Sequence, residues 1–530
     1  MNDNTDIVTP SQPTHELRRD ISVWGSYMWG YADVGADIYA ALGLVIAAAQ
    51  GAASLAFAAA GIVYIMIGFA YTELASAYPI AGGGQYFALR GLGDFWGFVT
   101  GTALLLDYTI DIALFSVASA GYVNFFLPYF GIDPTHFILT LGSLKINYLW
   151  LTESLIFIFF LIWLNIIGIK ESSLFNEVIG AFDIFIESSV IVFGFLFAWK
   201  PEFLVQQWQM SFPTLHNFMY GSSLGIISFV GLESISQAAQ ETKRPATIIP
   251  RTSVTLIFTV FIFATAFSSL SLGVLPWQTF AEHIGDPIAT LAHAIPYIGL
   301  IAGPVTALLG ATILLISANS GVMSASRLTY SMSEFDLITR WFNKVNPKYK
   351  TPVRTIVVFS GIGIIEMLLS FMTPQAMDTL GNMYAFGATL GYLIVFIALI
   401  RLRFSDPYTP RPYKMPLNIK MRYKDRTIDF PVLAIFGFLG VGTILFEVIL
   451  THKIGRIAGP IWVLLGLLYF IYFRKKNNMP VTKSIKRNWE AHQMDVLTSA
   501  EEFDLAEEYR LALKERDEKL KRNGQTKPEK

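Results

Sequence analysis

Apolar positions in this chain are gathered into long runs, and the polar positions fall in the short stretches between them. Runs of roughly 20 apolar residues, the length a helix needs to cross a hydrocarbon core, occur near 23–49, 51–78, 96–128, 149–169, 173–199, 218–240, 253–275, 296–323, 353–373, 378–401, 430–450 and 457–473. This pattern predicts an all-α polytopic membrane protein of about 12 transmembrane helices. An even number of spans puts both ends of the chain on one side. Loops on that side hold Arg90, Lys170, Lys243, Arg244, Arg251, six bases between Arg327 and Arg354, and eight between Arg401 and Arg426. Opposite loops hold Lys145, Lys200, Lys453 and Arg456. The positive-inside rule then makes both termini cytoplasmic, and the expected location is the plasma membrane.

Composition agrees: 53% of the 530 residues are hydrophobic and 15% charged, with a mean hydropathy of +0.48. A net charge of −1 gives no reason to expect nucleic acid as a partner; the expected partners are the lipid bilayer and a small-molecule substrate, and the oligomeric state is left open. Cysteine is absent, which excludes disulfides, iron–sulfur ligation and a thiol nucleophile. Residues 1–22 are polar and lack the pattern of a cleaved signal, so the first helix is expected to remain as an anchor. The expected organisation is a cytoplasmic tail at 1–22, a transporter domain at 23–474 and a charged cytoplasmic tail at 475–530. Within the domain, one repeat spans about 23–199, a second about 218–401, and helices eleven and twelve about 430–473. Residues 483–522 have helical periodicity with mixed charge and read as a solvated helix, with a frayed end at 523–530.

Two apolar runs are interrupted. From Tyr31 to Gly43 the first run carries Asp33, Gly35 and Asp37, and Val230-Gly-Leu-Glu233 repeats the glycine-then-acid device in the sixth. Irregular backbone at membrane depth is tolerated only where it is buried in protein or lines a wet cavity, and paired interruptions in corresponding halves point to the site of an inverted-repeat carrier. Asp33/Asp37, Asp107/Asp111 and Asp183/Glu187 are acid pairs at a spacing that places both members on one helix face. Each central carboxylate costs about 2.5–3.5 kcal/mol on insertion scales, so six in lipid would cost about 15–20 kcal/mol. They are expected to face the interior. No Lys or Arg lies deep in these spans, which leaves protonation, helix-end N–H groups or an external cation to neutralise them.

The chain resembles the amino acid–polyamine–organocation (APC) superfamily over most of residues 20–475. The resemblance is carried by Gly35-Ala-Asp-Ile-Tyr39; by Tyr71-Thr-Glu-Leu-Ala75 with Pro79 and Ala81-Gly-Gly-Gly-Gln-Tyr86; and by Gly231-Leu-Glu233 with Glu241, Pro245, Pro250 and Arg251. It continues in Ser326-Arg-Leu-Thr-Tyr-Ser-Met332 with Thr351-Pro-Val353, and in Arg411-Pro-Tyr-Lys-Met-Pro416. It implies a five-plus-five inverted repeat with broken helices one and six plus two peripheral helices. It also implies alternating access around a substrate held between spans one, three, six and eight. Gly35, Ala36, Asp37, Tyr39, Asp107, Asp111 and Gly231 are then the candidate substrate or ion ligands, and Glu233 and Asp183 the candidate coupling residues. Tyr108 and Tyr384 are further gate candidates, and Ser317, Asn319 and Ser320 could supply oxygens to an ion.

The chain departs from the family at two positions. Asp37 stands where amino acid carriers of this family place a glycine that admits a substrate carboxylate, and two facing carboxylates repel by several kcal/mol. By an ungapped count from Gly168, Asp183 stands where many relatives have a lysine. A cationic substrate follows as the expectation.

An enzyme is disfavoured, because Gly221-Ser-Ser-Leu-Gly225 opens a membrane span instead of a strand-to-helix turn and no histidine lies mid-span. No cofactor or metal is expected beyond a coupling ion, H+ or Na+. The reading is a secondary transporter importing an amino acid, polyamine or related amine by alternating access, proton-coupled. Its alternative is a potassium or other inorganic cation symporter of the same superfamily, because Leu106-Asp-Tyr108 resembles a motif of the potassium-importing branch.

Overall fold

A computed structural model describes residues 21–142, 144–167, 172–349, 351–423 and 426–522. The start of the N-terminal tail, the Gly168–Glu171 anchor of the span-five count and the end at 523–530 lie outside these residues. Among the described residues eleven helical runs are long and apolar enough to cross a membrane, and the first of them, Val23–Ala77, is 55 residues long. That run holds two crossings, because Gln50 takes φ 50° and turns the chain between Asp37–Ala49 and Ala53–Ala77. The later spans are Asp94–Asn124, Tyr148–Ile167, Ser172–Phe197, the broken sixth from Leu215 to Gln237, Pro245–Val274, Gly299–Glu334, Val353–Ser370, Ala376–Ser405, Val432–Thr451 and Gly455–Lys476. The chain is therefore a polytopic all-α membrane protein. The small antiparallel hairpins Ile138–Leu141/Leu144–Asn147 and Asn418–Tyr423/Arg426–Pro431 sit in loops. Span eight runs past its predicted end near 323 to Glu334, since a helix needs no hydropathy once it leaves the lipid.

Span three is buried along almost its whole length and packs chiefly against spans eight and ten. Between membrane helices little hydrophobic drive operates, so small residues that let backbones approach do the packing. A Cβ on Gly387 would lie 2.9 Å from the Asp107 nitrogen, and one on Gly321 would lie 2.5 Å from an Asp111 carboxyl oxygen. Spans ten and eight thus press directly on the two aspartates of span three. Spans four and five carry their large exposed apolar side chains, such as Phe159, Trp163 and Phe185, on the outer surface, where lipid solvates them.

The two interruptions differ, and this corrects the expectation of matched breaks. In span one the helix widens into a π-helical turn, Tyr31–Gly35, and resumes at Asp37 without unwinding. The Tyr31 ring lies where a Cβ on Gly35 would stand, 2.7 Å from it. In span six, helix Leu215–Leu224 tightens into a 3-10 turn, Gly225–Phe229, and Val230 is extended. Gly231 takes φ +112°, a conformation open to glycine at no steric cost, and helix restarts at Glu233.

The face that carries most of the Lys and Arg is closed by ion pairs. Glu73 accepts from Arg403 at 2.6 Å through both oxygens and from the Met415 N–H at 2.9 Å. Arg90 meets Asp406 at 2.7 Å, and Glu241 pairs with Arg327. The tail expected to be solvated is instead docked here as two helices, Trp489–Ser499 and Phe503–Arg522. The docking combines polar contacts with apolar ones: Trp489 and Val496 join the main core, and Leu497 and Tyr509 pack with Tyr408 in the loop after span ten.

Candidate functional site: a buried cluster of carboxylates

Five carboxylates converge in the middle of the bundle. The π-turn of span one offers Asp33 and, one turn later, Asp37 opens the next helix. Asp107 and Asp111 lie one turn apart on span three, and Glu233 begins the inner half of span six. All five are buried, the most accessible being Asp33 at 6%. The two interruptions touch: a Cβ on Gly231 would stand 3.0 Å from the Asp33 carboxyl carbon.

Donors to these oxygens are few. Ser317 donates to Asp37 Oδ1 at 3.3 Å and lies 3.4 Å from the Asp33 carbonyl, and Tyr384 donates to Asp111 Oδ1 at 3.4 Å. Glu233 Oε2 accepts from the Tyr392 hydroxyl at 2.7 Å and the Gly231 N–H at 3.2 Å. Asp37 Oδ2, both Asp107 oxygens and Glu233 Oε1 have no donor group bonded to them, and Asp107 and Glu233 lie close enough to share a proton between their carboxyl groups. Asp107 faces Glu233, Asp111 and Asp33, while Asp37 faces Asp111 and Asp33. Among the described residues no Lys, Arg or His forms an ion pair with any of the five. Like charges this close in a medium of low dielectric repel strongly, so the cluster is stable only with protons or a cation among the oxygens.

Not every expected residue joins this cluster. Tyr39 turns to span five and donates to Asp183 Oδ1 at 2.7 Å; Tyr31 donates to Asp183 Oδ2 at 3.3 Å and to Glu187. Asp183 and Tyr39 therefore belong together in a second acidic pocket between spans one and five, where Glu187 Oε1 is left without a partner. Gly35 ends the π-turn and Ala36 follows it, both buried. Tyr108 is tied to the inner loop: it accepts from Gln237 Nε2 at 3.0 Å, and Gln237 Oε1 accepts from the Gly82 N–H at 3.0 Å. Asn319 accepts from Asn165 at 2.6 Å and, with Ser320, lines a small cavity beside Asp33 with Trp29 and Met323. Sequence reasoning missed Tyr31, Tyr392 and Gln237. The one available signal was that polar groups in apolar runs need partners.

Comparison with known proteins accounts for this architecture. A family model described as amino acid permease matches residues 21–472. The chain is 25% identical over 481 residues to the branched-chain amino acid permease BcaP of Bacillus subtilis, covering 89% of this chain and 97% of the relative. It is 24% identical over 468 residues to the γ-aminobutyric acid permease of the same organism, covering 84% and 90%. With cationic amino acid transporter 4 of Mus musculus it shares 24% over 419 residues, 74% of this chain and 61% of the relative. The chain belongs to the amino acid permease family of the APC superfamily: it is an amino acid transporter and not an enzyme.

Proposed function

We propose that the chain imports an amino acid or related amine whose net charge is positive, by proton-coupled alternating access, with both termini in the cytoplasm of a cell with this protein in its plasma membrane. The observation that carries this reading is the set of four carboxyl oxygens with no bonded donor group, on Asp37, Asp107 and Glu233, among five buried acids that have no basic partner. An ammonium or guanidinium group supplies the missing donors, and a substrate carboxylate alone would meet only like charge. Asp37 and Asp111 are the ligands for that group, and the Asp107–Glu233 pair holds and releases the coupling proton. Relatives named as cationic amino acid transporters support this substrate class, whereas the branched-chain permease is the relative that argues for a zwitterion.

The test is uptake into proteoliposomes of labelled arginine, leucine, γ-aminobutyrate and rubidium, under separate proton and sodium gradients, by the wild type and Asp37→Gly. Arginine uptake is expected to require the proton gradient and to fall roughly tenfold or more in the variant, the loss expected when about 1.5–3 kcal/mol of a charged hydrogen bond disappears. Equal losses for arginine and leucine, or uptake of leucine alone by the wild type, overturn the charge argument, and uptake of rubidium alone favours an inorganic cation.

A further inference from the structure

The docked tail has no part in the site chemistry, yet it is held by specific polar contacts. Asp94, 2% exposed at the start of span three, pairs with Arg474 and Arg487, accepts from the Ile485 N–H at 3.1 Å, and gives its own N–H to Ser484 Oγ at 3.1 Å. Arg487 also donates to the Phe335 carbonyl at 2.7 Å, just past the end of span eight. Trp489 packs on Tyr86 and Phe335, with Arg90 over its ring at 5.3 Å. Buried Gln493 donates to the Ala77 carbonyl at the end of span two, at 3.0 Å. Glu502 accepts from the Ala246 N–H in the first turn of span seven, at 3.1 Å. The returning helix is clipped to the first by Arg516 and Glu490, and Arg516 lies over Tyr408 in the loop after span ten.

These anchors join two groups of helices. Spans two and seven are continuous in the chain with the interrupted spans one and six, whereas spans three and eight carry Asp107, Asp111 and Ser317. Alternating access in such carriers is a rocking of one helix group against another around the site. A segment bonded to the same ends of spans two, three, seven and eight opposes that motion on its own face. It also grips both ends of the loop whose Gly82 N–H is bonded to Gln237, four residues after Glu233, through Gln493 on the Ala77 carbonyl and Trp489 on Tyr86. We infer that residues 484–516 are a strap that holds the basic, cytoplasmic face closed and must detach before the site opens there. The strap rests on the chain being a carrier and holds for any substrate.

The chain has no cysteine, so engineered thiols are unambiguous. In the full chain, Ala246→Cys with Glu502→Cys is joined by a short reducible bis-thiosulfonate. Counterflow of labelled arginine and leucine is expected to fall more than tenfold on cross-linking and to recover on reduction, which shows that the protein is folded. A separate reporter, Ser236→Cys, buried beside Gly83, is labelled from the cytoplasmic side with an impermeant maleimide. Its rate is expected to rise about tenfold when Gln493→Ala and Trp489→Ala loosen the strap, as the loss of two contacts shifts the closed population. Full cross-linking with unchanged counterflow, failure of the pair to cross-link, or unchanged labelling in the loosened variant overturns the inference. Because labelling needs no substrate, an error in the substrate class is told apart from an error about the strap.

Discussion

Replacing Glu233 with Gln separates the work of its charge from the work of its shape. In the wild type, Oε2 accepts from Tyr392 at 2.7 Å and from the Gly231 N–H at 3.2 Å, while Oε1 has no donor group bonded to it and faces Asp107, whose two oxygens also have none. A glutamine keeps its carbonyl oxygen in the first position and turns its NH2 towards Asp107. Two bonds are retained, and the amide supplies permanently the donor towards Asp107 that the shared proton supplies in the wild type, so little stability is lost. Glu233→Gln is therefore expected to leave thermal stability nearly unchanged. The amide cannot release a proton. Concentrative uptake driven by an imposed pH gradient should fail, while exchange of labelled for unlabelled substrate, which needs no net proton movement, survives. The assay is uptake and counterflow in the same proteoliposomes, with melting followed in parallel. A variant that still accumulates substrate with unchanged pH dependence refutes the coupling role, and one that melts several degrees lower refutes the reading of the Asp107 contact.

Gly231→Ala is expected to place a Cβ 3.0 Å from the Asp33 carboxyl carbon at φ +112°, costing about 1–3 kcal/mol of backbone strain before any clash. Transport should fall further than melting temperature, and wild-type rates would show that the two interruptions do not need to touch. His492, buried among Tyr86, Phe335 and Trp489, is lowered from its ordinary 6.5 to about 3 by burial and then by Arg90 and Arg487. The docked tail thus excludes a proton that the undocked tail binds below 6.5, so docking is strongest above pH 6.5 and weakens as pH falls towards 3, by up to about 1.4 kcal/mol per pH unit. Protease clipping of the tail should rise over that window in the wild type and much less in His492→Phe; identical profiles would remove the histidine from the account. Lys145→Cys and Lys200→Cys, each the single thiol of the chain, should react with an impermeant maleimide from outside the cell, and reaction from the cytoplasm alone would invert the topology.

Much of the architecture was legible along the chain. The hydrocarbon core demands helices of a set length, and any acid inside it must face protein, so the spans, the interruption at Gly231–Glu233 and the intramembrane acids could be read from spacing alone. Which acids share a pocket could not. Asp183 lies 144 residues from Tyr39, and their meeting depends on how span five is rotated about its axis, which many interhelical contacts set together. The π-turn at Tyr31–Gly35 was equally hidden, because a glycine beside acids permits either unwinding or a widened turn, and the Tyr31 ring packed against it decides. The docking of the tail rests on bonds to Asp94, Ala77 and Ala246, hundreds of residues away. Local sequence determined where the chain crosses and which groups cannot face lipid; only the packed bundle decided which of those groups are partners, since partnership depends on the mutual rotation and depth of helices that are distant in the chain.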